Sequence, residues 1–298
     1  MLTDERTRFE AIYREHVREM RPYSLSLLAL VAACALSAAA CSGGNSTPDT
    51  WAIGFHNVHG LRATLRLDKS LARSIRLVGA VHRVESIPLG HSYQGRPIVA
   101  LRTGNPHGKR VLVFGCIHGT ECAGIAVARA LERVHAQADL WIVPNLNPDG
   151  YARGTRQNGR GVDLNANWSS QWRSGGRPWD TYYPGPRPFS EHETRIARNL
   201  IVRIRPRVTI WFHQHMNLVW AWGPSTAAGR IYARAAGMRF YHHHWLHGTA
   251  TNWQNHHVPG SASFTVELPA GRLTPQQVRR QVHAVLTLAA AVRGPAHA

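Results

Sequence analysis

The sequence predicts an α/β sandwich on a largely parallel sheet, and two observations carry that. Short, nearly unbroken apolar runs recur at Val111–Gly115, Leu140–Val143, Val208–Phe212 and Ser263–Leu268, as expected of strands covered on both faces. Between and after them lie segments of helical spacing at 121–134, 189–204 and 274–286. Strands alternating with helices build a parallel sheet with helices packed on it.

Each element has its local reason. Ile87–Gly90 and Gly95–Leu101 form a strand pair around a turn at His91–Gly95, and Asn105-Pro-His-Gly is a turn. The first helix, 121–134, carries apolar Ile125 and Leu131 with several alanines. Pro144–Gly150 is a loop of turn formers in which Asp149 reads as a turn residue. Residues 156–175 are irregular and too polar for core. The helix over 189–204 opens with Ser190 and Glu193, the spacing of a capping box. Thr274-Pro-Gln-Gln277 caps the last helix, with Val278, Val282, Val285 and Leu286 on one side.

The 298 residues and 44% hydrophobic content suffice for one large packed domain. Net charge is +18, almost all from arginine, yet no basic run or helix stripe concentrates it. Nucleic acid is therefore not an expected partner. A diffuse positive field suits proximity to an anionic wall or membrane surface instead. Residues 20–40 read as a signal peptide, with Arg21 before the apolar run Leu25–Ala40. Ser37-Ala-Ala-Ala-Cys41 resembles a lipoprotein cleavage box, which makes Cys41 a lipid-anchor candidate. Ala38 stands where that pattern carries Leu, so a plain signal-peptidase cut nearby is the alternative. Residues 1–19 are a charged upstream extension, with Met20 a candidate start, and 41–50 are a polar tether. Residues 51–85 carry no clear pattern and are expected to belong to the catalytic domain, which is assigned to 86–298.

The chemistry begins where the first buried strand ends. His118-Gly-Thr-Glu121 puts an imidazole and a carboxylate on one turn of backbone, at the carboxyl edge where open α/β sheets bind ligands. That pair suits zinc, and a catalytic zinc takes three protein ligands and keeps one open position. Val208–Phe212 runs into His213, a second strand-end imidazole. His215 would share its face in a regular strand and is the alternative ligand. Asp163 can accept a hydrogen bond from a ligand imidazole and fix its tautomer. Glu267, ending another strand, can take a proton from water activated by the metal and pass it to a leaving amine. Cys116 and Cys122 flank the pair as small buried residues or as a disulfide. As a zinc ligand Cys122 would compete with Glu121.

Taken in order, these segments resemble the zinc metallocarboxypeptidase family over about residues 86–292. Gly90-His-Ser-Tyr-Gln-Gly-Arg-Pro-Ile98 is most similar to short bacterial members, including murein peptide amidases. The resemblance implies a three-layer α/β/α sandwich on a mixed, largely parallel, eight-stranded sheet. It implies one zinc ion held by His118, Glu121 and His213, with Asp163 behind the ligands and Glu267 as general base. It matches Asn147–Gly150 to the family's Asn-Pro-Asp-Gly loop, and Arg156 to the arginine that polarises the scissile carbonyl. Substrate contacts are implied for Asn165, His244, Thr251 and Asn252, the last two with Trp253 where the specificity pocket is lined.

Two departures stand out. The Asp-x-Asn-Arg-Asn motif reads Asp163-Leu-Asn-Ala166-Asn, so the arginine that pairs with a terminal carboxylate is missing. Arg153 and Arg160 are candidate replacements. The family's mobile tyrosine has no tyrosine at its position, where the count lands on His244 with Tyr241 nearby. The expected function is an exported zinc peptidase or amidase acting on peptides, cell-wall peptides favoured, with no protein partner. The alternatives are a conventional carboxypeptidase and a non-catalytic wall- or peptide-binding protein. The His242–His244 run, His256 and His257 read as surface or pocket lining. Trp211, Trp220, Trp222, Trp245 and Trp253 read as core packing or a binding platform.

Overall fold

The computed structural model describes residues 84–292. The expectations for the signal segment, Cys41, the tether and most of 51–85 lie outside the described residues.

Among the described residues, seven strands form one mixed sheet with helices on both faces. β1 (Glu85–His91) and β2 (Pro97–Gly104) are an antiparallel hairpin, and β2 also pairs antiparallel with β4 (Asp139–Val143). β3 (Arg110–Phe114) runs parallel between β4 and β5 (Val208–Ala221). β6 (Arg239–His242) and β7 (Ala262–Pro269) both pair with β5.

β5 has two halves. From Val208↔Ala262 to His213↔Glu267 its register climbs β7 in parallel. Beyond Met216 it descends, through Leu218↔Glu267, Val219↔Val266 and Trp220↔Thr265. The chain thus doubles back and lies along both sides of β7, with Asn217 in the left-handed region (φ 50°) at the reversal. Counted by position the sheet has eight places: β1, β2, β4, β3, the first half of β5, β7, the second half of β5, and β6. The described sheet thus has seven strands where eight were expected, one of them flanking β7 on both sides.

The alternation of β3 assigns the two faces. Leu112 and Phe114 join the core formed with helix α3 (His192–Ile204) and α5 (Ala250–His257). Val111 and Val113, equally buried, point the other way, toward the layer of α1 (Gly124–Leu131), α4 (Thr226–Ala236) and α6 (Pro275–Ala291). Phe114 stacks on Trp211 at 3.9 Å, and Trp168 packs edge-on against Trp211 and 5.1 Å from Trp253. Trp211 and Trp253 are therefore core. They also hold the loop after Asp163 against the sheet.

Several local expectations are corrected. The first helix starts at Gly124, because His118–Ala123 form the loop that carries the metal pair. Asn147 caps a short helix α2 (Pro148–Arg153), accepting from Gly150 N at 2.9 Å, where only a loop was expected. The capping box at Ser190 does not form, since α3 starts at His192. Ser190 Oγ instead donates to Glu191 at 2.7 Å, and Glu193 accepts from Asn158 and from the backbone of Tyr93. Asp149 is more than a turn residue. It accepts from Ser92 Oγ, Gln94 N and Arg96 at 2.7, 2.9 and 2.7 Å, tying the β1–β2 hairpin tip to α2. The capping box at Thr274 and Gln277 forms as expected.

Candidate metal centre and active site

Three adjacent strands bring the site together. β3, the first half of β5 and β7 run parallel, so their carboxyl ends open on one edge. His118 follows β3, His213 lies opposite Glu267 in register, and Glu267 sits near the end of β7. Gly119 lets the His118–Glu121 loop press onto the Asn147–Gly150 loop, since a Cβ there would lie 2.0 Å from the carbonyl carbon of Gly150.

His118, Glu121 and His213 offer ligand atoms that all lie within 4.8 Å of one another. His118 Nδ1 and His213 Nδ1 approach Glu121 Oε2 at 2.9 and 3.1 Å. On its other side His118 Nε2 lies 2.9 Å from Asp163 Oδ1. An Nε2–H donated to Asp163 leaves Nδ1 as the free lone pair, which fixes the ligand tautomer. Two imidazoles and one carboxylate converging this way fit zinc. His213, and not His215, belongs to the cluster.

Arg156 binds the Glu121 carboxylate through Nη1 and Asp163 through Nε at 3.1 Å. Its guanidinium lies 5.3 Å from the ring centroid of Tyr182, within cation–π range. Nothing in the sequence pattern singled out Tyr182, which comes from the irregular stretch before α3.

Burial alone would raise both acids, but Arg156 and His118 outweigh it and hold Asp163 and Glu121 well below the usual carboxylate range. Glu267 goes the other way. Burial first, and then the charge of Glu121, push it up to about 8. Glu267 Oε2 is buried with no hydrogen-bond partner among the described residues. A carboxyl group so placed can hold a proton near neutral pH and hand it on. Burial lowers His213, which favours the neutral, metal-binding imidazole.

The residues expected to touch substrate lie in different settings. Asn165 Oδ1 accepts from Ala250 N at 3.1 Å, which closes the start of α5. Asn252 is buried, accepting from Ser170 and donating to Gln171 and Leu246. Thr251, also buried, lies 3.3 Å from the Thr249 hydroxyl. His244 is exposed and lies tilted against Trp222, with ring centroids 3.9 Å apart. Cys116 and Cys122 are joined as a disulfide across the segment that holds His118 and Glu121, with Cα atoms 4.7 Å apart.

The mixed sheet and this donor set define the class of site as a candidate zinc centre at the carboxyl ends of parallel strands. The sequence model of the zinc carboxypeptidase family matches residues 80–228, half of the chain, and the chain belongs to that family. Carboxypeptidase B of Astacus astacus is 28% identical over 169 residues, 45% of this chain and 56% of that protein. Murein peptide amidase A of Escherichia coli K12 is 32% identical over 143 residues, 42% of this chain and 57% of that protein. Carboxypeptidase A from Helicoverpa armigera superimposes with a TM-score of 0.61 at 19% identity, over 75% of this chain and 72% of its own. For a murein-tripeptide amidase from Escherichia coli O157 the values are 0.57, 21%, 74% and 96%. At these identities the structural likeness shows the fold alone. The chain spans little more than half the length of the curated relatives it matches, and less of some.

Proposed function

We propose that this chain is an exported zinc-dependent peptidase or amidase that hydrolyses peptide or amide bonds, with cell-wall peptides its favoured substrates. The observation that carries the hydrolase reading is the convergence of His118, Glu121 and His213 beside a buried Glu267 whose second oxygen has no partner. A protein that only binds peptides has no use for such a carboxyl.

Zinc, when bound, supplies Lewis acidity that makes water acidic near neutral pH. His118 holds its donor atom in place because Asp163 fixes the ring from behind. Glu267 takes the proton from the attacking water at the oxygen left without a partner and later gives it to the leaving nitrogen. Its burial among apolar neighbours favours a carboxyl that can hold and release that proton. Arg156 donates to the oxyanion that develops on the scissile carbonyl, an electrostatic contact strongest as charge builds. Tyr182 packs over that guanidinium.

The substrate proposal rests on Ala166 and on location. Ala166 stands in a 3-10 turn and offers no cation for a terminal carboxylate, which favours a substrate not read by that clamp alone. The relative named a murein peptide amidase and the export-like N-terminus support wall peptides. A lipid anchor on Cys41 would keep the enzyme at the envelope. The test is mass spectrometry of the zinc-loaded chain with blocked dipeptides, their C-terminally amidated twins and muropeptides. Cleavage of amidated or branched wall peptides is expected. Cleavage confined to free C-termini would replace this reading with that of a conventional carboxypeptidase.

A further inference from the structure

The loop that carries Arg156 carries two more arginines, Arg153 before it and Arg160 after it. Both are exposed, and both lie over an aromatic ring. Arg153 Cζ is 4.7 Å from the Trp179 centroid and Arg160 Cζ is 5.5 Å from that of Tyr93, within cation–π range. A guanidinium that rests its face on a ring keeps its N–H donors at the edge, in the fork that takes a carboxylate with two hydrogen bonds. Among the described residues no carboxylate pairs with Arg153, and Arg160 reaches Glu191 only at 4.0 Å.

The rings under these arginines are exposed yet firmly held. Trp179 is 43% exposed and Tyr93 52%. Trp179 has φ 78°, a left-handed backbone that a bulky residue keeps only when its surroundings impose it. Its N–H donates to Gly161 O at 2.9 Å, and Gln157 Nε2 donates to the carbonyls of Trp179 and Asp180 at 3.2 and 3.0 Å. Gly161 makes room, since a Cβ there would come within 2.9 Å of the indole. Tyr93 is pinned by its N–H to Glu193 at 3.1 Å, on the hairpin tip that Asp149 anchors. Core packing does not account for an unfavourable backbone held fixed beneath an exposed indole. Presenting a rigid face to solvent, on the segment that also carries Arg156, does.

We propose that Arg153 on Trp179 and Arg160 on Tyr93 form a carboxylate-recognition subsite for an acidic peptide, supplying the anion contact that Ala166 lacks. This rests on the peptidase reading above and narrows its substrate to peptides with a free carboxylate within reach of that ledge. The subsite sits on the Arg156 loop, so a carboxylate docked there orients the chain of the substrate with respect to the metal centre.

The test is calorimetric binding to the zinc-loaded Glu267→Gln protein, which removes turnover from the measurement. The probes are N-acetyl-Ala-Glu-Ala with free carboxyls and its neutral twin, N-acetyl-Ala-Gln-Ala-amide. The parent is expected to bind the acidic peptide about tenfold more tightly, the value of one good charge-assisted contact. Arg153→Gln with Arg160→Gln should bring that ratio to about one. Trp179→Leu keeps both charges but removes a ring, and should lose most of the ratio. Arg198→Gln with Arg230→Gln removes two guanidiniums stacked elsewhere, on Phe189 and Phe240, and should keep it. The subsite is overturned if the parent shows no preference, or if Arg153→Gln with Arg160→Gln leaves it intact. It is equally overturned if the Arg198/Arg230 control loses it too, which would make it an effect of net charge. Preference without any turnover by the wild-type chain would sink the hydrolase reading and keep the subsite. Turnover with a preference indifferent to Arg153 and Arg160 would do the reverse.

Discussion

At the scale of single residues, Asp163 works on two partners at once. It accepts from His118 Nε2, which sets the ligand tautomer, and from Arg156, which it aims at the site. Asp163→Asn should therefore weaken zinc binding about 10–100-fold, the range for an outer partner of a metal-bound histidine. Competition against a chromophoric chelator reads this directly, and an unchanged affinity would remove Asp163 from the metal's support. The same charges predict how stability follows pH in the metal-free protein. Asp163 and Glu121 are depressed on folding, so their contribution is present above their unfolded values near pH 4 and fades as pH falls through and below them. Glu267 is raised, so its contribution is complete below about pH 4 and is lost as pH climbs toward about 8. Melting temperature should fall on both sides of about pH 5, and Glu267→Gln should flatten the alkaline side. A wild-type curve level from pH 5 to 8 would contradict the buried, raised Glu267.

At the scale of elements, hydrogen bonds show which local signals the tertiary structure overrode. Thr274 and Gln277 cap α6 in isolation, facing solvent, so Thr274→Ala should cost about 1 kcal/mol. Ser190, with the same signature, is buried between Glu191 and Asn167, and Ser190→Ala should cost about 1–3 kcal/mol through unmet partners rather than a lost cap. Asp149→Ala strips three donors of their acceptor and should cost about 3 kcal/mol or more. Urea denaturation measures all three, and an Asp149→Ala loss under about 1 kcal/mol would show that the hairpin tip does not depend on that anchor. The strands with buried apolar runs, and the ligands at their ends, were legible in the sequence because burial on both faces writes itself as an unbroken run. β6 was not, since Arg-Phe-Tyr-His on a sheet edge makes no such run. Helix α5 was not either, because a sequence as polar as Thr-Asn-Trp-Gln-Asn-His-His reads as loop until Ser170, Thr209 and Ser261 are brought to it. The second half of β5 was invisible for a different reason: which side of β7 a strand lies on is not written in its own residues.

At the scale of the whole molecule, the chain places its charges with economy. The full sequence carries a net charge of +18, and within the described residues the buried acids and bases of the centre nearly balance while Arg153 and Arg160 stay exposed on rings. The fold supplies the edge, β3 and β5 carry the three metal-ligand candidates to it, and β7 brings Glu267, which β5 flanks on both sides. The account stands or falls on Glu267 acting on water at a zinc site built from His118, Glu121 and His213. The most direct measurement is zinc content by mass spectrometry together with turnover of the peptide panel, for the wild-type chain and Glu267→Gln side by side, with and without chelator. The account predicts one zinc in each protein, chelator-sensitive turnover by the wild type, and a loss of about 10²–10⁴-fold in Glu267→Gln, the usual share of a general base. Equal turnover by the two zinc-loaded proteins, or turnover indifferent to chelator, would contradict it.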